Sequence, residues 1–408
     1  MSRWRISGAT VLTPDESITG VNVIIQDKKI DSITKNELKT SISLNVENGV
    51  LTPGLINAHD HLLGTYFPKV GNGPYENWLP WDNDLKSSPV YIERQQIENR
   101  DLYLLGGYRN LISGITCVSD HIPHFVNEPY IPILQVKVLK DYALSHSIAS
   151  FALVWGDSIE KEYKKALDKD IPFITHISEG FDPETIQDVS KLEQKGGLGD
   201  HSVLVHGLAF SDEDINLIKK RKASVVWCAD SNMFMFDKTT NIELLLEKGV
   251  NVCIGTDSPM SGGENILSEM KYDKNLFYSL YNKQLPNDVI LKMVTSNPAK
   301  AFRLKDTGQI KPGYIADLVL FSNREKDPYS SVVSAELKDV LLVIINGKPV
   351  YGSIEYKDLF DSFKIKYQNF RIKGEEKILA GDLVGLLKRI ENAIGMKKEF
   401  PFLPIEFS

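Results

Sequence analysis

Two histidines one residue apart, His59 and His61, close the stretch LTPGLINAHDHLLG at residues 51–64. The chain has only 8 histidines, so the pairing invites a chemical reading. On a β-strand, residues i and i+2 point to the same side. His59 and His61 would therefore face one way and Asp60 the other. Two imidazoles on one side, a few ångströms apart, form a chelating pair for a borderline metal such as zinc. His176 and Asp257 also end strand-like runs and would complete a shell of three nitrogens and one oxygen. Zinc suits that shell best; iron or manganese would be tolerated. A single such histidine pair is usually a loop feature. Here the signal is joint, because His121, His176, His206 and Asp257 each follow an apolar run in chain order.

Residues as distant as His59 and Asp257 need a frame that brings them to one face. The middle of the chain offers eight candidate strands: Leu55–His61, Ile115–Asp120, Ile133–Leu139, Ala149–Trp155, Pro172–Ile177, Ser202–His206, Ala223–Cys228 and Asn251–Thr256. Helical stretches separate them. The pattern predicts an α/β protein with a (β/α)8 TIM barrel, where C-terminal strand ends converge on one face. The third candidate also reads as part of an amphipathic helix, ILQVKVLKDYALSH. Alternating residues at 3–50, and again in GQIKPGYIADLVLF and DVLLVIINGKPVYG, predict one small β domain made by both chain ends. The expected division is 1–52 and 305–357 for that domain, 53–304 for the barrel, and 358–408 for a helical tail around GDLVGLLKRIENAIG. The apolar FPFLPIEFS is expected to pack on the surface or on a neighbouring subunit.

Composition narrows the partners. The 408 residues carry a net charge of −7, with pI ≈ 5.7. Nucleic acid and anionic membranes both favour a basic face, so neither is expected. No apolar run approaches the roughly 20 residues that span a bilayer, and MSRWRISGAT has no apolar signal-like core. Cys117, Cys228 and Cys253 lie in separate apolar runs and read as reduced, buried side chains of a cytoplasmic protein. The expected partners are a small-molecule substrate and water, with a homodimer as the default assembly.

PGLINAHDH, THISEG, VLVHG, WCADSN, IGTDSP, TSNPAKAFRL and GQIKPGYIADLVLF together resemble the metal-dependent amidohydrolase superfamily. The branch they most resemble holds the cytosine, guanine and adenosine-type deaminases and the triazine hydrolases. The resemblance spans roughly residues 1–350. It implies a (β/α)8 barrel with a β-sandwich from both chain ends, and one catalytic zinc or iron. Its ligands would be His59, His61, His176 and Asp257. Glu179 would be the acid/base, and His206 would orient the attacking water. Binuclear members use a carboxylated lysine at the end of the fourth strand. SIASFALVWGD has none, which argues for one metal and against hydantoinase-like or urease-like chemistry. Ala229 stands where the branch often has proline, but Ser231 and Asn232 remain.

The implied reaction is hydrolytic deamination of an aminated N-heterocycle of the purine, pyrimidine, pterin or triazine kind. A metal lowers the pKa of water to about 7. Asp257 takes the water proton, and His206 aims the oxygen at carbon. Glu179, its pKa lifted by burial, protonates the ring nitrogen and the leaving amine. A C–Cl or cyclic amide bond could be cleaved by the same groups. An inactive binding module would usually have lost ligands. Trp78 and Trp81 in YENWLPWDND are expected to stack on a heterocycle or to pin their loop. His121, Ser231, Asn232 and Ser258 are further expected substrate contacts. Asp82 and Asp84, if they face the site, favour a donor-rich substrate. His146 and His201 precede strands and are expected on the far face; His124 is expected in a loop.

Overall fold

The computed structural model describes residues 3–13 and 16–406. The outermost residues of the expected first and last segments, 1–2 and 407–408, lie outside the described residues, as do 14–15. Eight short parallel strands form the centre: β1 (Leu55–Asp60), β2 (Ile115–Asp120), β3 (Lys137–Val138), β4 (Ala143–Leu144), β5 (Phe173–Ile177), β6 (Ser202–His206), β7 (Ser224–Trp227) and β8 (Asn251–Ile254). They make two sheets, one of β1 to β3 and one of β4 to β8, each in sequence order. The two sheets meet where β8 ends. There His61 N–H donates to the Asp257 carbonyl at 2.7 Å, and Asp257 N–H donates to the His59 carbonyl at 3.0 Å. No bridge joins β3 to β4 among the described residues. The α/β class expected from the sequence holds, but the strands do not close into one continuous ring.

β1, β5 and β6 are buried along their whole length. Strands covered on both faces read as continuous apolar runs rather than alternating ones. The helices between them start at side-chain caps. Ser158 accepts from Lys161 N–H at the head of the helix Ile159–Lys169, which then buries Ile159, Tyr163 and Ala166. Ser211 and Asp214 form a reciprocal capping box at the head of Asp212–Arg221.

Two expected strands are corrected. In Ile133–Leu139 only Lys137 and Val138 pair with β2, after a 3-10 turn at Ile131–Ile133. Leu139 N–H adds one more bond, to the Val118 carbonyl at 2.9 Å, before the chain passes to β4. Ala149–Trp155 is a loop, and the fourth strand lies earlier, at Ala143–Leu144. That loop is apolar because Leu153 and Trp155 line a cavity, while Val154 is 96% exposed. An apolar run announces a cavity wall as readily as a buried strand. The other boundaries shift by at most two residues.

The chain ends are β-rich. Lys29–Thr34, Asn22–Gln26, Arg3–Ser7 and Ile42–Asn45 form a four-stranded sheet. Gly49–Pro53, Leu318–Ser322, Val340–Ile345 and Lys348–Ser353 lie within a nine-stranded sheet. One apolar cluster joins the two, with Trp4, Ile6, Val23 and Ile25 meeting Leu51, Leu318, Leu320, Leu342 and Ile344. Residues after 358 contain the expected helix, Leu383–Ile394, and also a hairpin of Tyr367–Ile372 and Glu375–Ala380 that extends the nine-stranded sheet. Beyond the helix, Phe400, Phe402 and Leu403 are buried in the main core. Lys398 Nζ lies 2.6 Å from Glu93 Oε1 and 4.6 Å from the centre of the Tyr66 ring. The three cysteines are buried and unpaired. Among the described residues, no helix is long and apolar enough to cross a membrane.

Candidate active site

Strand ends bring the chemistry together. His59 and His61 come from β1, His121 follows β2, His176 lies in β5 and His206 ends β6. Asp257 follows β8. The backbone bends sharply at three of these ends. Ser178, His206 and Asp257 have φ of 49°, 74° and 59°, a left-handed region that costs non-glycine residues about 1 kcal/mol or more. Such strain clusters at functional sites, where surrounding structure holds it. β8 also approaches β1 closely at Gly255. A Cβ there would stand 2.7 Å from His59 Cβ, so no larger residue fits.

The centre of the cluster is crowded with acceptors. His59 Nε2 lies 3.3 Å from His176 Nε2 and 3.3 Å from Asp257 Oδ1, and His61 Nε2 lies 3.5 Å from the same oxygen. His176 Nδ1 donates to the His146 carbonyl at 2.7 Å, which leaves a lone pair on Nε2. Burial pushes the His59 imidazole down to about 3, against the pull of Asp257. Burial and the surrounding imidazoles hold His176 well below its ordinary value. Burial would raise the Asp257 carboxyl, but the His59 hydrogen bond and the nearby imidazoles hold it far below the usual range. The neutral imidazoles of His59 and His176 beside an ionised Asp257, with His59 Nδ1 unbonded, are a donor set that suits a divalent cation. The ligand atoms of His59, His61 and Asp257 lie within 4.8 Å of one another.

Beside this cluster stand Glu179 and His206. Glu179 Oε1 is 3.6 Å from His206 Nε2, and both residues are buried. His206 Nδ1 donates to Asn232 Oδ1 at 2.9 Å, which turns its other nitrogen toward Glu179. Burial raises the Glu179 carboxyl to about 7; His206 opposes this, while Asp257 and Asp188 add to it. Ser231 Oγ donates to Asp257 Oδ2 at 2.7 Å, and Ser261 Oγ donates to the same oxygen.

A cavity of about 370 Å³ opens onto His61, His176, Glu179, His206 and Asp257. Trp78, Trp81, Tyr91, Leu153, Trp155, Met235 and Met260 line it. A larger cavity of about 570 Å³ lies next to it, sharing Phe67 and walled by Tyr66, Tyr272, Phe400 and Phe402. None of the residues that gather at the strand ends reaches the larger one, so the chemistry belongs to the smaller.

The expected substrate contacts divide. Trp78 and Trp81 face the cavity, and Trp81 also pins its loop, donating from Nε1 to the Val70 carbonyl at 2.9 Å. Ser231, Asn232, Ser258 and His121 are not among the cavity walls. Ser231 and Asn232 instead hold Asp257 and His206, and Ser258 Oγ accepts from Met260 N–H at 3.3 Å. Asp82 faces the cavity but is paired with Lys86 at 2.6 Å; Asp84 accepts from Tyr75. His146 is not on the far face. It follows β4 and lines the cavity, 5.2 Å from His176 between ring centres. The sequence hides it because the fourth strand begins six residues before the apolar run that resembles it; SIASFALVWGD is the loop after it. The true strand end, Leu144-Ser145-His146, also lacks a lysine. His201 Nδ1 donates to the Ile171 carbonyl at 2.8 Å, away from the cluster. His124 lies in the short helix His124–Asn127, stacked on Tyr142.

Comparison with known proteins adds a second line. Residues 157–350 match the model of the amidohydrolase family. A 5-methylthioadenosine/S-adenosylhomocysteine deaminase from Clostridium tetani is 28% identical, covering 90% of this chain and 97% of its own. One from Pyrococcus furiosus is 26% identical, over 85% of this chain and 94% of its own. The crystal structure of an adenosine deaminase from Xanthomonas campestris with bound zinc superposes with a TM-score of 0.76 at 18% identity, over 96% of this chain and 97% of that one. That of the zinc complex of atrazine chlorohydrolase from Arthrobacter aurescens gives 0.74 at 17%, over 85% and 95%. At such identities the likeness is one of fold.

Proposed function

We propose, for a chain that carries an amidohydrolase-family domain over residues 157–350, that it is a hydrolytic deaminase of an aminated, adenosine-type heterocycle. The observation that carries this reading is one juxtaposition. A buried Glu179 stands 3.6 Å from His206 Nε2, beside the His59, His61, His176 and Asp257 cluster, at a cavity walled by tryptophans. Relatives named as 5-methylthioadenosine/S-adenosylhomocysteine deaminases support it. We read the eight parallel strands as the family's (β/α)8 barrel, residues 53–304, open at the β3–β4 seam. Segments 1–52 and 305–357 would be the two parts of a β-sandwich, and 358–408 a tail.

His59, His61, His176 and Asp257 would hold one divalent ion, with zinc the best match to three imidazoles and a carboxylate. Bound there, it would bring the pKa of water to about 7. The remaining chemistry belongs to the chain. Ser231 and Ser261 fix one oxygen of Asp257 and leave the other to take a proton at the cluster. Asn232 fixes the His206 ring, so that Nε2 accepts a hydrogen bond from the attacking water. Glu179, protonated below about pH 7, gives its proton to a ring nitrogen; the proton taken by Asp257 passes to the departing amine, and Glu179 recovers the remaining hydroxyl proton as the carbonyl forms. A C–O bond forms, the C–N bond breaks, and ammonia leaves. Trp78, Trp81 and Trp155 offer flat faces to a planar ring. Chloride needs no proton to depart, so a buried acid speaks for an amine leaving group.

The test is ammonia release from adenosine, 5′-deoxyadenosine and 5′-methylthioadenosine, then from other aminated purines, pyrimidines and pterins. Turnover of one of them, lost in Glu179→Gln with metal content unchanged, is the expected result. No ammonia from any of them would end the deaminase reading. Near-normal turnover in Glu179→Gln would end the acid/base role alone.

A further inference from the structure

His121 is a buried histidine with nothing to do in the scheme above. Its side chain is 0% exposed; one ring nitrogen faces the Ser145 carbonyl, and the other has no hydrogen-bond partner. It is not a wall of the cavity, so substrate does not account for it. Its backbone is firmly set: His121 N–H donates to the Asp60 carbonyl at 3.2 Å, between the two β1 histidines. The ring centre lies 4.7 Å from that of His176 and 5.8 Å from that of His59. One nitrogen from each of His59, His121 and His176 falls within 4.8 Å of the others. Ligand atoms about 2.1 Å from a shared ion stand at most about 4.2 Å apart, so sub-ångström adjustments would gather all three.

An unpaired buried polar group costs about 1–3 kcal/mol. A chain bears that cost where packing demands the residue or where something absent from the protein itself completes it. Packing is the concrete rival, because the ring stands edge-on to Trp155 at 5.4 Å and 86°. Yet packing against Trp155 would be served by a phenyl ring, which brings no orphaned nitrogen.

We propose that His121 is a further nitrogen donor to the metal, raising the chain's own donors to five: His59, His61, His121, His176 and Asp257. The inference rests on the metal-dependent reading above. Its consequence concerns metal choice. Tetrahedral zinc sites are satisfied by four donors. Four imidazoles, a carboxylate and a water make a six-donor set, which favours ions that accept octahedral geometry, such as Fe2+, Mn2+ or Co2+, over zinc.

The test uses the full-length protein stripped by a chelator and reloaded with Co2+. Wild type is compared with His121→Phe, which keeps a ring against Trp155, and with His121→Asn, which relieves any overpacking by the larger ring. Circular dichroism and thermal melting establish folding. Cobalt affinity comes from competition with a chromogenic chelator, and donor number from the visible spectrum. Both folded variants should bind cobalt at least about 10-fold more weakly. Their visible bands should intensify, because the four remaining donors and the water make five-coordinate Co2+, which absorbs more strongly than six-coordinate Co2+. Unchanged affinity and spectrum in either folded variant would show that His121 only packs, and would leave the deaminase reading standing. A wild type that takes up no metal would overturn both.

Discussion

Glu179 draws its usefulness from its surroundings. Burial lifts it to about 7, and it serves as an acid only while protonated. The expected kcat/KM therefore falls as pH rises through about 7. That limb should vanish in Glu179→Gln, whose kcat should be about 100- to 10,000-fold lower; pH–rate profiles of both proteins check this. Ser231 acts on the neighbouring carboxylate. Ser231→Ala removes the 2.7 Å hydrogen bond to Asp257 and should weaken metal binding by about 10-fold, read by chelator competition, with little change in melting temperature. At this scale much of the site was legible. Strand alternation puts His59 and His61 on one side, and chain order puts His176, His206 and Asp257 at strand ends. What could not be read was the direction of side chains that follow a strand. Ser231 and Asn232 arrive beside the cavity but turn back to hold Asp257 and His206, a choice made by local turns that leave no periodic mark.

Behind the histidines, the elements are locked by a buried polar knot. Arg109, from the helix Asn99–Ile112, reaches Asp60 Oδ2 at 2.5 Å and Thr256 Oγ1 at 3.1 Å. Asn110 adds a hydrogen bond to Asp60 at 2.7 Å, and Asn57 bonds Thr256 at 2.8 Å. The knot ties β1 to the end of β8, the seam where the two parallel sheets meet. Arg109→Leu would strand a buried carboxylate, at a cost of about 3–5 kcal/mol. Denaturant unfolding should show that loss, and adding Asp60→Asn should recover part of it. Gly255→Ala attacks the same seam sterically. Its Cβ has 2.7 Å to His59 Cβ, so the variant should lose both stability and metal, measured by melting and metal analysis. The elements themselves were legible where strands are long and buried. β3 and β4 were not, because two residues of strand carry no period, and because the apolar loop after β4 imitates the strand it follows.

Across the whole molecule, one helix carries a charge problem. Glu269 and Asp273 lie a turn apart on Ile266–Tyr281, both buried, and neither Asp273 oxygen is hydrogen-bonded. Burial raises Glu269 to about 8, with Asp230 adding to it, and raises Asp273 well above its ordinary value, with Glu269 and Asp230 pushing it further. A carboxyl harder to ionise in the folded state than in the unfolded one stabilises the fold at low pH. That advantage drains away from about pH 4 upward, through the folded-state pKa. Asp273→Asn should thus melt close to wild type at pH 4 and clearly above it at pH 8.5. The class of fold and the β-rich ends could be read from the sequence; the hairpin at Tyr367–Ala380 could not, since the charged Lys377 sits among its buried residues and interrupts the apolar pattern. One last consequence follows from the seam between β1 and β8. His59 and His61 come from the strand that begins at residue 55, His176 from the one that begins at 173, and Asp257 follows the one that begins at 251. During synthesis, a nascent chain therefore carries its first two histidines long before Asp257 leaves the ribosome. His59 and His61 alone can grip an ion only loosely. Firm metal capture thus comes late, after β8 has emerged and docked, and an occupied site certifies that the strands have been assembled in their proper order.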